Sequence, residues 1–110
     1  MQAKQPQSIP RPEWSPLPRS GCSNVQGKVL HKRAGLALAM LRFEPDGCID
    51  EHAADFDIEV ICLEGCGFIS VDSQPSEFKA NQSMLWPKGA LHKLWTTTSA
   101  MTTLMVEILS

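Results

Sequence analysis

Asn81–His92 reads NQSMLWPKGALH. Met84, Leu85 and Trp86 lead into Pro87-Lys88-Gly89. This is a tight turn: Pro87 fixes φ for the bend, and Gly89 allows the positive φ that a reversal needs. His92 follows inside the alternating run Leu91-His92-Lys93-Leu94-Trp95. A rigid turn followed by a His at a set offset on a strand aims one imidazole at one fixed point. The same His could equally fill a half-polar core position, so its meaning depends on the rest of the chain.

Working upstream, Glu77–Ala80 reads as a short strand and Asp72–Pro75 as a turn. Cys66–Val71 and Ile58–Leu63 are strands rich in β-branched residues, joined by Glu64-Gly65 as a two-residue hairpin. In that register Leu63 faces Cys66, so Cys62 and Cys66 point to opposite faces and are not placed for a disulfide. Cys48–His52 is extended, followed by a loop at Ala53–Asp57, and Glu44-Pro45-Asp46-Gly47 is a strong turn signal. Residues 34–43, AGLALAMLRF, put Leu36, Leu38 and Met40 on one face and Ala37, Ala39, Leu41 and Phe43 on the other. Both faces are at least half buried, as in a sandwich or barrel strand. Val29–Arg33 is a further strand. Downstream, Thr96–Ser99 turns into a last strand, Ala100–Leu109. Short strands spaced by turns, with no convincing helix, predict an all-β sandwich or closed barrel.

The remaining sequence bounds the function. At 110 residues the chain is one domain. Five of its eight prolines fall at Pro6, Pro10, Pro12, Pro16 and Pro18. Residues 1–26 are therefore expected to be a Pro-rich extended arm, and 27–110 a single barrel. Trp14 and Leu17 are the arm's apolar anchors, which favours packing on the barrel or on a partner. A net charge of −2 gives no electrostatic footprint for nucleic acid or an anionic membrane. No apolar run approaches a membrane span or a signal h-region. The expectation is a cytoplasmic protein with Cys22, Cys48, Cys62 and Cys66 as reduced thiols.

Two motifs, in this order and on this strand pattern, resemble those of the cupin superfamily across roughly residues 30–109. Pro87-x-Gly89-x-x-His92 is similar to the core of the second cupin motif, with Asn81 where its leading Gly would stand. For the first motif, Gly47 leads, His52 takes the first His position, and Leu63-Glu64-Gly65 takes the closing hairpin. The resemblance implies a small jelly-roll barrel of the double-stranded β-helix type (RmlC-like), in agreement with the strand count. It also implies a divalent transition metal, iron, manganese, nickel or zinc, on three His and one Glu. Here Ala54 stands at the second His position and Ile58 at the Glu position, so only His52 and His92 remain as metal ligands. Asp55 and Asp57 from the loop and Thr96, inward by parity, are the nearby substitutes, Glu59 would serve only with the register slipped by one, and a metal-free barrel is the alternative.

By strand parity the barrel interior holds His52, Ala54, Ile58, Val60, Cys62, His92 and Leu94, with Trp86 beside them. An apolar pocket with two imidazoles is typical of a small-molecule site. The expected function is small-molecule binding by a cupin barrel with a depleted metal site. The alternatives are a cupin enzyme, either a dioxygenase or isomerase with rebuilt metal ligands or a metal-free isomerase using His52 and His92 as acid and base, and a scaffold barrel filled by its own side chains. Ile61, Leu63 and Trp95 are the outward residues expected to bury a homodimer face.

Overall fold

The computed structural model describes residues 5–109. The first four residues of the expected arm, and Ser110 at the end of the expected barrel, lie outside the described residues. Eight strands follow one another: β1 (Arg11–Pro16), β2 (Cys22–Arg33), β3 (Leu36–Ala53), β4 (Asp57–Val71), β5 (Gln74–Lys79), β6 (Ser83–Trp86), β7 (Leu91–Trp95) and β8 (Met101–Ile108).

Two of these strands, β3 and β4, are long because each serves two sheets. Residues Leu36–Phe43 of β3 pair with β8, and Cys48–Ala53 pair with β7. Residues Asp57–Gly65 of β4 pair with β8, and Phe68–Val71 pair with β7. The ring β3-β8-β4-β7 is thus closed by hydrogen bonds on all four sides, and every pairing is antiparallel. This is an all-β jelly roll of the cupin type.

Two expected turns are instead corners. At Glu44–Gly47 the chain does not reverse. It bends through Asp46, whose φ is +58°, and continues in the other sheet. Buried Thr96 locks that bend. The Gly47 N–H donates to Thr96 Oγ1 (2.8 Å), the Thr96 hydroxyl donates to the Glu44 carbonyl (2.6 Å), and the Thr96 N–H donates to the Gly47 carbonyl (2.9 Å). The expected hairpin at Glu64-Gly65 is likewise a bulged corner inside one strand, with the register shift between Cys62 and Glu64. Turn-forming residues supply the bend there, but continued pairing with β8 on one side and β5 on the other prevents reversal. β4 reverses into β5 at Asp72-Ser73, where both residues have positive φ, the geometry of a type I′ hairpin.

Inside the ring, Phe43, Val60, Cys62, Ile69, Leu94, Met101 and Trp86 are 0–1% exposed. The N-terminal segment packs on this barrel. β1 pairs with the edge of β2, and Pro16 ends β1, where a missing N–H costs nothing. The Trp14 ring lies under the Lys28 ammonium (4.6 Å) and the Arg42 guanidinium (4.4 Å). β2 runs through Gly27 without a break, so residues 22–26 belong to the same strand as the barrel residues after them. Trp95 is not on the same face as Ile61 and Leu63. It belongs to β7 in the opposite sheet and stacks on Phe68 at 5.6 Å.

Gly65 shows how tight the second corner is. Its φ is +77°, and an added Cβ would collide with the Ala100 carbonyl oxygen. Gly89, at φ +81°, has nothing within 4 Å of that position. Gly65→Ala is therefore expected to destabilise the fold by about 3 kcal/mol or more, and Gly89→Ala by only about 1 kcal/mol. Urea midpoints of the two variants check this; equal losses would contradict it.

Candidate functional site

Residues from both ends of the chain and from its middle meet in one cavity of about 390 Å³. Its walls are Ala39 and Leu41 from the first half of β3, Ile49 and His52 from the second, and Ala54 and Phe56 from the following loop. Ile58 comes from β4, Trp86 from β6, and Met105 and Glu107 from β8. Leu17, Pro18 and Arg19, between β1 and β2, complete the rim. Ile58 and Trp86 are opposite each other in the β4–β6 register, so one cross-strand pair supplies two adjacent wall residues.

Four of the eight residues expected in a pocket line this cavity: His52, Ala54, Ile58 and Trp86. The other four, Val60, Cys62, His92 and Leu94, are fully buried behind it in the core. The Cys62 thiol faces the Glu64 and Gly65 carbonyls at the corner (3.6 and 3.8 Å), and burial pushes its pKa up. Thr96 is committed to the other corner. Asp57 Oδ1 accepts the Lys88 N–H at 2.7 Å, which ties the Pro87–Gly89 turn to the start of β4.

His52 and His92 do meet. They are direct partners in the β3–β7 register, with ring centroids 4.6 Å apart and planes at 82°. Behind His52, His92 stacks on the Trp86 indole at 4.0 Å and 15°. A register shift between Ile49 and His52 decides which way His52 faces. Without it, two residues three apart would point to opposite faces of the sheet. With it, both Ile49 and His52 reach the cavity.

The partners of His52 assign its tautomer. Nδ1 lies 2.9 Å from the Asp50 carbonyl oxygen, which can only accept, so Nδ1 carries the proton. Nε2 lies 2.7 Å from Arg19 Nη1, which can only donate, so Nε2 presents its lone pair. His52 is thus a neutral imidazole bonded at both nitrogens. His92 is also neutral but is bonded at neither nitrogen among the described residues, and it is 0% exposed. Its pKa is lowered to about 4, first by burial, then by His52 and Arg19. Glu107, half-buried in the wall, has its pKa raised by burial against the pull of Lys32 and Arg19.

These residues do not fit the transition-metal centre that the motif resemblance implies. Ala54 and Ile58, at the two missing ligand positions, are apolar wall. His52 has no free lone pair while Arg19 holds it. Among the described residues no group of three or more His, Cys, Asp or Glu side chains is placed to hold an ion. A site that binds such a metal usually supplies three or more protein ligands.

Sequence reading missed Arg19, Glu107, Ile49 and Phe56 as site residues. Glu107 had a usable signal, since it shares strand parity with the buried Met101, Thr103 and Met105. Arg19 had none, because nothing local tells where a Pro-flanked segment will lie.

No protein-family model matches the chain, and no curated protein matches it. Solved structures do match in shape. A cupin-2 domain protein from Rhodospirillum rubrum is 16% identical, with 100% of this chain and 78% of that one covered, at a TM-score of 0.81. The polyketide cyclase RemF from Streptomyces resistomycificus is 16% identical, with 96% and 81% covered, at 0.80. A cupin 2 conserved barrel domain protein from Leptotrichia buccalis is 25% identical over 76% of this chain, at 0.72, and this chain spans 40% of that protein. At such identities the likeness is one of fold.

The buried, neutral His92 has a pH consequence. Its folded pKa is depressed to about 4, while the unfolded value is 6.5, so the unfolded chain binds more protons between those limits. The stability that depends on neutral His92 is fully present above pH 6.5 and is lost as the pH falls toward 4, by about 3 kcal/mol in total. Denaturant titrations at pH 4.5 and 7 are expected to show a smaller acid loss for His92→Leu than for the parent. Identical acid losses in the two proteins would contradict a buried neutral imidazole.

Proposed function

The chain is a small protein of cupin fold, and on that premise we propose that it binds a small organic molecule in the barrel interior without a transition metal. The single observation that supports this reading is the cavity of about 390 Å³, mostly apolar, with three polar groups at its wall: Arg19, His52 and Glu107. Natural ligand sites have this volume and this sparse polarity. A barrel that served only as scaffold would close such a space with side chains, since interiors pack to crystal-like density. Ala39 and Ala54 in its wall fill little of that space.

Each polar group has a defined capacity. His52 holds its ring in one orientation through Asp50 and offers a lone pair to whatever donor replaces Arg19. Glu107 offers acceptor oxygens, and Trp86 contributes a flat apolar wall. Binding needs nothing further, and we assign no catalytic residue.

We propose a homodimer as well, on the outer face of the β3–β8–β4 sheet. The cross-strand pairs Leu36–Ile108, Leu38–Val106 and Met40–Leu104 share that face, with Ile61 opposite Leu104. Leu63 (40% exposed) and Ile108 (41% exposed) are large apolar groups left in solvent by a lone chain. We propose a cytoplasmic location because all four cysteines are free thiols.

Ala39→Phe is the test of the pocket. A phenyl group at this wall position fills the cavity, so the variant is expected to melt at or above the parent temperature and to lose at least tenfold in affinity for small aromatic probes. A variant that binds such probes as the parent does would sink the proposal. In the same samples, light scattering at micromolar concentration is expected to give twice the 12.1 kDa chain mass.

A further inference from the structure

Arg19 occupies an unusual position. Its guanidinium meets the lone pair of His52 at the rim of the cavity, and among the described residues no carboxylate lies within ion-pair distance of it. Arginine carries five N–H donors in a rigid fork, and a neutral imidazole engages only one. The others are free to take a planar two-oxygen group bidentately, the geometry at which a guanidinium excels. Trp86 lines the same wall. Trp86 is 1% exposed, and its indole N–H is buried with no partner among the described residues.

Against the guanidinium stands one carboxylate. Glu107 lines the same cavity and is close enough to Arg19 to feel its charge, yet it forms no ion pair with it. One guanidinium can offset one negative charge on a ligand. A second anionic group would meet Glu107 in a low-dielectric wall, where like charges repel strongly. The rest of the lining, Leu17, Leu41, Ile49, Phe56, Ile58 and Met105, calls for an apolar body.

We infer that the cavity is a site for a small apolar monocarboxylate, its carboxylate held by the Arg19 fork and its ring or branched chain among the apolar walls, with Glu107 turning away dianions. This rests on the small-molecule reading of the cavity and adds the ligand class. Arg19 stands on the segment between β1 and β2, so the N-terminal segment carries the specificity of a barrel built by the rest of the chain.

Calorimetric titration of the parent, Arg19→Gln and Glu107→Gln with phenylacetate, its neutral isostere phenylacetamide, and the dianion homophthalate tests this at pH 7.5 and low salt. The parent is expected to bind phenylacetate at least tenfold more tightly than phenylacetamide, and homophthalate at least tenfold more weakly than phenylacetate. Arg19→Gln should bring acid and amide within twofold of each other by weakening the acid alone. Glu107→Gln should narrow the penalty on homophthalate to about threefold or less. Equal binding of acid and amide by the parent would overturn the carboxylate assignment and leave the small-molecule pocket standing. An acid preference that survives Arg19→Gln would overturn the role of Arg19. Binding of neither compound by the parent would overturn the pocket reading, and this proposal with it.

Discussion

Two strands that each belong to two sheets hold this molecule together. β3 and β4 pair with β8 at one end and with β7 at the other, so the hydrogen-bonded ring has no free edge among those four strands. Such a ring closes only if both long strands bend at a fixed place. The bends are fixed by polar chemistry at one corner, where Thr96 satisfies the backbone of Glu44 and Gly47, and by the absence of a side chain at Gly65 in the other. The relation between His52 and His92 follows from the register this imposes. A slip of one residue in β7 would put His92 outside and Lys93 in the core, which is prohibitively costly.

The charge arrangement at the site follows from the same closure. The two imidazole centroids are 4.6 Å apart, and like charges that close would repel. His92 stays neutral because it is buried, and His52 accepts a hydrogen bond at Nε2 from the Arg19 guanidinium. Among the described residues that line the cavity, Arg19 is the cation, at the exposed rim, and Glu107 is the anion, half-buried in the wall. In most settings a pair of inward histidines with free lone pairs would invite a metal. Here Arg19, an exposed guanidinium, takes the position of the electrophile.

Most of the fold was legible in the sequence, and the site only in part. Period-two alternation in residues 34–43 and 91–95, with turn residues between strands, is set by local burial and reads directly as all-β. The Pro87–His92 offset located the buried imidazole. What local pattern could not supply was the difference between a turn and a corner. Glu44–Gly47 and Glu64-Gly65 have turn chemistry, and only pairing with distant strands decides that the chain bends without reversing. The bulge between Ile49 and His52 broke the parity count in the same way, which hid Ile49 as a wall residue. Asn81 is the converse case. It departs from the motif's glycine but adopts φ +73°, a conformation asparagine tolerates better than most residues, so the turn survives the substitution. Arg19 was invisible because its role depends on where the N-terminal segment docks, and that is set by Trp14 and Leu17 packing on strands far along the chain.

The central claim is that His52 presents its Nε2 lone pair to a cation from the N-terminal segment while Nδ1 carries the proton. Long-range proton–nitrogen correlation spectra of the ¹⁵N-labelled protein at pH 7 report both ring nitrogens of each histidine directly. The account predicts a protonated Nδ1 and an unprotonated Nε2 for His52, with the Nε2 signal moving in Arg19→Gln. A protonated Nε2 on His52, or a signal indifferent to Arg19, would contradict it.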